Sequence, residues 1–285
     1  MVHNHCFFCV IFKTIVLQKI TRRKLIKRGL LATIGMFLID VLWFEKYVID
    51  WNFFDISKKK DKLKIIQLSD LHFDELRSFH KSIAKKINKI KPDVILITGD
   101  SVEKTDKIPL LNSFLQLIDV AIPKYAVMGN WEYKGRVAID KLSSMYSKNN
   151  CKLLINENDT INLKNREVAI IGVGDYISGT ADFEKAVKNL KKGETTIVLS
   201  HCPQHRDIIK KQQGSLEIDL VLSGHTHGGQ VTFLGIAPVR PRGSGRYVKG
   251  WYRESEPKMY VSKGIGTSIL PIRFGARAEV VEIDV

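Results

Sequence analysis

The chain has 285 residues, 44% of them hydrophobic, and a net charge of +15. That content excludes a disordered polymer and gives length for one large α/β domain or two small ones. Cys6, Cys9, Cys151 and Cys202 form no spaced framework, which excludes a disulfide-stapled scaffold. Residues 1–51 carry +5 and the remaining body +10. A basic body serves solubility, or it favours anionic partners: phosphate compounds, nucleic acid or an acidic membrane surface.

The first element in chain order is an address rather than a fold. The opening "HNHCFFC" places His3, His5, Cys6 and Cys9 close together. No second Cys/His pair follows at zinc-knuckle spacing, so a metal site is not expected there. An apolar stretch at 7–17 precedes the basic "TRRKLIKR" of 21–28, and 29–44 is apolar apart from Asp40. A spanning helix needs about 20 apolar residues, so this one is marginal in length. "TRRKLIK" is similar to a twin-arginine export signal, and no small-x-small cleavage site follows. The expectation is an uncleaved signal or membrane anchor over residues 1–50, with a helix lying on anionic lipid as the alternative. Residues 51–62 read as a charged linker, and 63–285 as the folded domain.

From Leu63 onward one pattern repeats: a short β-branched apolar run, then a polar residue able to bind metal. "KIIQLSD" ends at Asp70, "DVILITGD" at Asp100, "KYAVMGN" at Asn130, "TTIVLSH" at His201 and "IDLVLSGH" at His225. Such runs are buried on both faces, as in parallel strands. Helical patterns at 77–90, 107–119, 137–148 and 180–192 lie between several of them, giving an α/β fold. Ligands of open α/β sheets bind beyond the carboxyl ends of the strands. Residues i and i+2 of extended backbone share a side, so Asp70 pairs with His72 and His225 with His227. Seven convergent donors exceed one tetrahedral site and fit two metals sharing a carboxylate. Mixed histidine, carboxylate and amide ligation suits Mn, Fe or Zn.

The order Asp70-Leu71-His72, Gly99-Asp100, Gly129-Asn130-Trp131-Glu132, His201, Gly224-His225-Thr226-His227 resembles the calcineurin-like metallophosphoesterase superfamily. The resemblance covers about 63–285 and implies a four-layer αββα sandwich. It implies that Asp70, His72 and His227 bind one metal and Asn130, His201 and His225 the other. Asp100 would bridge them, with a metal-bridging water or hydroxide as nucleophile. The family usually has His where this chain has Trp131, whose indole N–H donates a hydrogen bond but cannot act as a general acid. Glu132, His205 and metal-bound water are the candidate replacements, and His205 also reads as a helix-surface histidine. His80, in a lysine-rich helix, reads as structural or exposed.

"GHTHGGQV", "GRYVKGWY" and "YVSKGIGTSILPIRFGARAEV" resemble the membrane-associated branch of the superfamily, which includes twin-arginine-exported phosphoesterases and a UDP-2,3-diacylglucosamine pyrophosphatase. The loop 235–257 interleaves Arg240, Arg242, Arg246, Lys249 and Arg253 with Tyr247, Trp251 and Tyr252. This suits lipid headgroups or a phosphate-bearing substrate, or else a solvated basic loop. Arg246, Arg273, Gly264 and Gly266 are candidate substrate contacts. The expected function is hydrolysis of a phosphodiester or pyrophosphate, of a lipid or lipid-linked substrate, by a monomer at the cell membrane. The membrane face stays open. Alternatives are a nuclease or nucleotide phosphodiesterase, although no separate nucleic-acid module is evident, and a non-enzymatic scaffold.

Overall fold

The computed structural model describes residues 21–57 and 60–285. The cluster of His3, His5, Cys6 and Cys9 lies outside them. The chain divides into two units, Met1–Leu38 and Ile39–Val285.

From Arg22 the first unit is helical, within α1 (Arg22–Ile39), which buries no side chain. Its first two turns are spent on basic residues, so its apolar part is short. Among the described residues no helix is long and apolar enough to cross a membrane. The expected N-terminal anchor therefore has no spanning helix among them.

The second unit starts earlier than the sequence suggests. A π-helical turn (Asp40–Phe44) and α2 (Glu45–Tyr47) lead into β1 (Asp50–Asp55). The stretch expected as a linker thus enters a sheet, where β1 runs parallel to β12 (Glu279–Asp284). The reason is local: Trp51 and Phe54 pack on opposite sides of the sheet, against two different cores. Flanking lysines mask that pattern in the sequence.

The remaining strands are β2 (Lys64–Leu68), β3 (Val94–Thr98), β4 (Lys124–Val127), β5 (Cys151–Leu153), β6 (Glu157–Leu163), β7 (Arg166–Gly172), β8 (Thr195–Leu199), β9 (Leu220–Ser223), β10 (Gly250–Tyr252) and β11 (Met259–Val261). One sheet has the order β1-β12-β2-β3-β4-β5 and the other β10-β11-β9-β8-β7-β6. β2 to β5 run parallel, as do β7, β8, β9 and β11.

The period-2 alternation of strands sorts the apolar side chains into layers. Ile65, Val94, Leu96, Ile197, Leu199, Leu220 and Leu222 fill one core between the sheets. Ile66, Leu68, Ile95 and Ile97 point the other way, onto α3 (Ser78–Ile90), α4 (Ile108–Leu115) and α6 (Ile139–Lys148). Val198 and Val221 face Phe183 of α7 (Phe183–Ala186) and Ile209 of α8 (Arg206–Gln212). The result is two sheets face to face, each with helices on its outer side. Burying each such aliphatic side chain contributes about 1.5–3 kcal/mol.

Helix α3 follows its spacing: His80, Ile83, Ala84 and Ile87 are buried, and Lys91 closes it in the left-handed region. The helix expected over 180–192 shrinks to α7. The Asn158 amide captures the carbonyls of Ala186 and Lys188, and Asn189 turns left-handed, so the helix cannot continue.

Candidate metal centre

Strands β2, β3, β4, β8 and β9 end side by side, and the loops after them converge. The expected extended geometry of the ligand pairs is replaced by tight turns. Asp70, His72, Asp100, His225 and His227 all have positive φ, between 43° and 72°. Such backbone is uncommon outside glycine and clusters at functional sites. Cross-loop hydrogen bonds hold it: Asp70 N–H donates to Gly99 O (3.0 Å) and His72 N–H to Asp100 O (2.9 Å). Gly99 is required where it stands, at φ +92°, because a Cβ there would lie 2.7 Å from Gly129 N and from His201 Nδ1.

Two groups of donors result: Asp70, His72 and His227, and Asp100, His201 and His225, all buried. Asp100 links them through a single oxygen. Its Oδ2 lies 3.1 Å from His201 Nε2 and 3.7 Å from His72 Nε2. Its Oδ1 accepts the Trp131 N–H at 2.8 Å, which turns Oδ2 inward. His72 Nε2 and His227 Nε2 are 3.1 Å apart, and His227 Nε2 is 3.5 Å from Asp70 Oδ1.

Three of the four histidines are set up to accept a cation. His72 Nδ1 faces Glu103 Oε1 (3.0 Å), His201 Nδ1 faces Thr98 O (2.7 Å) and His225 Nε2 faces Arg242 O (2.8 Å). Each acceptor fixes the ring proton on the outer nitrogen and leaves the inner lone pair free, the arrangement found behind metal-binding histidines. His227 differs: its Nδ1 meets the Arg273 guanidinium at 3.3 Å. Burial first, then His72 and Arg273, hold His227 well below its ordinary pKa, so its ring stays neutral.

Asn130 opens α5 (Asn130–Lys134), and its amide has two orientations. With nitrogen inward it donates to His225 Nδ1 (2.7 Å) and His201 Nε2 (3.3 Å). With oxygen inward, that oxygen, the two ring lone pairs and Asp100 Oδ2 point at one place. A cation at that place would satisfy all four acceptors; without one, the nitrogen-inward amide and a protonated His201 do so. The donor set thus fits a divalent metal at each group.

Burial alone would raise the Asp100 carboxyl, but the neighbouring His201 ring holds it well below the usual range. Burial and then His201 push His225 down to about 4.

The other expected site residues land elsewhere. Glu132 is buried and accepts from the backbone N–H groups of Asp100 (3.0 Å), Ser101 (2.5 Å), Val102 (3.2 Å) and Gly129 (2.8 Å). Burial, then the Asp100 charge, push it up to about 7. It clamps two ligand loops together, and both oxygens are occupied, so it is not the proton donor. His205 is buried rather than on a helix surface. Its Nδ1 meets Ser200 Oγ at 3.3 Å, its ring stacks on Tyr176, and burial pushes it down to about 4. A ring held neutral in this way is a weak general acid near neutral pH. His80 is buried, stacks on Phe79 and accepts the Arg77 N–H at 3.0 Å, a structural role.

Arg273 was expected at the substrate. It is fully buried, and its guanidinium donates to the carbonyls of Gly266, Lys263, Gly264 and Ala276. It braces the loop behind His227 instead. Gly264 and Gly266 face the Asp70–Leu71 loop, where a Cβ on either would meet Asp70 or Leu71. Arg246 is exposed and paired with Glu254 at 3.2 Å. Trp131 is half-buried, with its ring edge-on to His72 at 6.2 Å and Lys134 Nζ over it at 5.0 Å. Glu103 and Thr98, which orient two of the histidines, escape a sequence reading. Their only signal is nearness to Asp100.

A family profile described as Calcineurin-like phosphoesterase matches residues 63–229. The chain is 30% identical over 232 residues to "Uncharacterized metallophosphoesterase YkuE" of Bacillus subtilis (strain 168), covering 77% of this chain and 78% of that one. It is 31% identical over 257 residues to a metallophosphoesterase of Aquifex aeolicus (strain VF5), covering 85% and 90%. It is 30% identical over 247 residues to "Transmembrane protein with metallophosphoesterase domain" of Bos taurus, covering 78% of this chain and 53% of that one. The chain belongs to the calcineurin-like phosphoesterase family and is a metal-dependent phosphoesterase.

Proposed function

We propose that the chain hydrolyses a phosphodiester or pyrophosphate bond of a lipid or lipid-linked substrate. The observation that carries the hydrolytic part is the single Asp100 oxygen facing both donor groups. Asp70, His72 and His227 would hold one divalent cation, Asn130, His201 and His225 the other, and Asp100 both. Such a pair of cations supplies Lewis acidity, making hydroxide accessible at neutral pH and neutralising phosphoryl charge.

The chain's own residues limit the leaving group. Trp131 offers an indole N–H but no transferable proton. Glu132 and His205 are engaged elsewhere. Substrates whose leaving group departs without protonation are therefore favoured: phosphate, nucleotide and aryl oxide. A pyrophosphate such as that of UDP-2,3-diacylglucosamine meets this condition.

The lipid part is supported by the basic, apolar segment 21–44 and by the name of the bovine relative. Attachment to the cell membrane through residues 1–50, with export by the twin-arginine route, belongs to the same proposal. The positive-inside tendency would put the body outside. Protease added to intact spheroplasts checks this, since protection of the body rules export out.

The substrate test is a panel with added Mn: UDP-2,3-diacylglucosamine, phospholipid, bis(p-nitrophenyl) phosphate and single-stranded DNA. The proposal expects the lipid-linked pyrophosphate to give the highest kcat/KM. Preference for DNA or a soluble nucleotide would replace it with the nuclease or nucleotide phosphodiesterase reading.

A further inference from the structure

Two neighbouring turns in the second unit present apolar side chains to solvent in backbone conformations that suit other residues. In the first, Phe233 and Ile236 exchange backbone hydrogen bonds (3.0 and 2.9 Å) around Leu234-Gly235. Both central residues have positive φ, 50° and 80°. A turn of this kind prefers Asn-Gly, yet Leu234 holds the first place and is 87% exposed. In the second, Leu270 N–H returns to Ser268 O at 2.7 Å, a three-residue turn centred on Ile269 at φ +63°. That turn is rare and strained, and a β-branched residue in it is an outlier. Ile269 is 88% exposed. Neither choice helps folding or solubility.

Gln230 joins the two tips. Its Nε2 donates to Ser268 O (3.0 Å) and Leu270 O (2.8 Å), and its Oε1 accepts the Ser268 N–H (3.0 Å). Val239 and Leu270 extend the exposed apolar set. The π-helical turn adds Leu42 and Trp43, both about half exposed, and is tied to the same loop by Arg273 N–H donating to Val41 O at 3.2 Å. Soluble monomers rarely leave contiguous apolar surface beyond a few hundred Å².

Charge narrows the partner. The chain leaving the first tip carries exposed Arg240 and Arg242. Apolar tips flanked by arginines match an anionic bilayer: side chains enter the acyl boundary and guanidinium groups meet headgroup phosphates. The same loops reach the metal centre. Arg242 O accepts from His225, and the loop of the second tip carries Arg273, which meets His227.

We propose that the Leu234 and Ile269 tips are an interfacial docking face, which seats the metal centre against an anionic lipid surface. The proposal deepens the lipid-linked reading of the same site.

The test uses the full chain and vesicles of phosphatidylglycerol and phosphatidylcholine. Hydrogen exchange should slow in peptides covering 231–240 and 265–272 when anionic vesicles are added. The double variant Leu234→Asn, Ile269→Gly suits both turns better, so it should fold at least as well as the parent. It should bind vesicles at least ten-fold more weakly and hydrolyse soluble bis(p-nitrophenyl) phosphate at the parent rate. Protection confined to other segments, or unchanged binding by the variant, overturns the proposal. So does a lipid-free dimer that the variant converts to monomer, because a second copy would then be the occupant. If docking holds but vesicle-borne lipid phosphate is not hydrolysed, the substrate class falls and the docking face stands.

Discussion

The two ends of the parallel strands make opposite use of the fold. A cavity of about 680 Å³ lies at the amino ends, lined by Arg166, Thr195, Gln213, Asp219 and Lys258 among others. Arg166 Nε and Gln213 Oε1 in that lining are buried without a hydrogen-bond partner, and the rest of the Arg166 guanidinium is held by the chain. The terminal nitrogens of Arg166 bond Asp61 O, Val285 O and Thr195 Oγ1. At the carboxyl ends, buried histidine and carboxylate side chains converge in two groups. Volume therefore does not locate the chemistry here. Converging ligand-type side chains and left-handed backbone do.

The largest change expected from a single substitution that leaves the ligands intact is at Trp131. If no general acid serves the carboxyl end, rates on aryl and pyrophosphate esters should greatly exceed those on alkyl diesters. Trp131→His should then raise alkyl-ester turnover, by less than the ~10²–10⁴-fold a well-placed acid supplies, since loss of the indole disturbs packing. Measuring kcat/KM over a series of leaving groups decides it, and a flat series in the natural chain would mean another acid is present.

The next effect is at Glu103. It holds the proton on His72 Nδ1. Glu103→Ala should weaken metal binding about 10–100-fold, the usual cost of losing the group behind a ligand. Competition with a chelator reads this without reference to activity.

A smaller effect reports on the two buried histidines outside the donor groups, His80 and His205. Burial, then Arg77, push His80 down to about 4, and burial does the same to His205. Unfolded histidine takes up its proton near pH 6.5. The stability these two groups contribute is therefore complete above about pH 6.5 and is lost as pH falls toward 4. The slope reaches about 1.4 kcal/mol per pH unit for each histidine. Urea midpoints at pH 7.5 and 5 should diverge, and His80→Phe should flatten that divergence.

At the other end of the strands, Gln213→Ala in the large cavity should leave metal content and turnover unchanged and shift stability by no more than about 0.5 kcal/mol. Lost turnover there would undo the contrast between the two ends.

The candidate ligands were legible in the sequence because each follows an apolar strand, so Asp70, Asp100, Asn130, His201 and His225 hold one position in the text and stand at strand ends in the fold. What burial decides was not legible. Glu132 and Arg273 look like catalytic and substrate groups, because Glu and Arg beside a motif carry that meaning when exposed. Buried, each is consumed by backbone: Glu132 by N–H groups, Arg273 by carbonyls. β1 was hidden because its partner β12 lies more than two hundred residues away. No local pattern announces such a pairing. The turn tips at Leu234 and Ile269 had no reading of their own in the sequence, since exposure of an aliphatic side chain is not written in composition.

The most direct test of the central claim is the metal content of the purified chain beside that of Asp100→Ala, with turnover measured on the same samples. The account predicts two divalent ions per chain in the natural protein. In the variant it predicts loss of turnover and of much of the bound metal, because one oxygen serves both positions. Full metal content and full turnover in Asp100→Ala would contradict it.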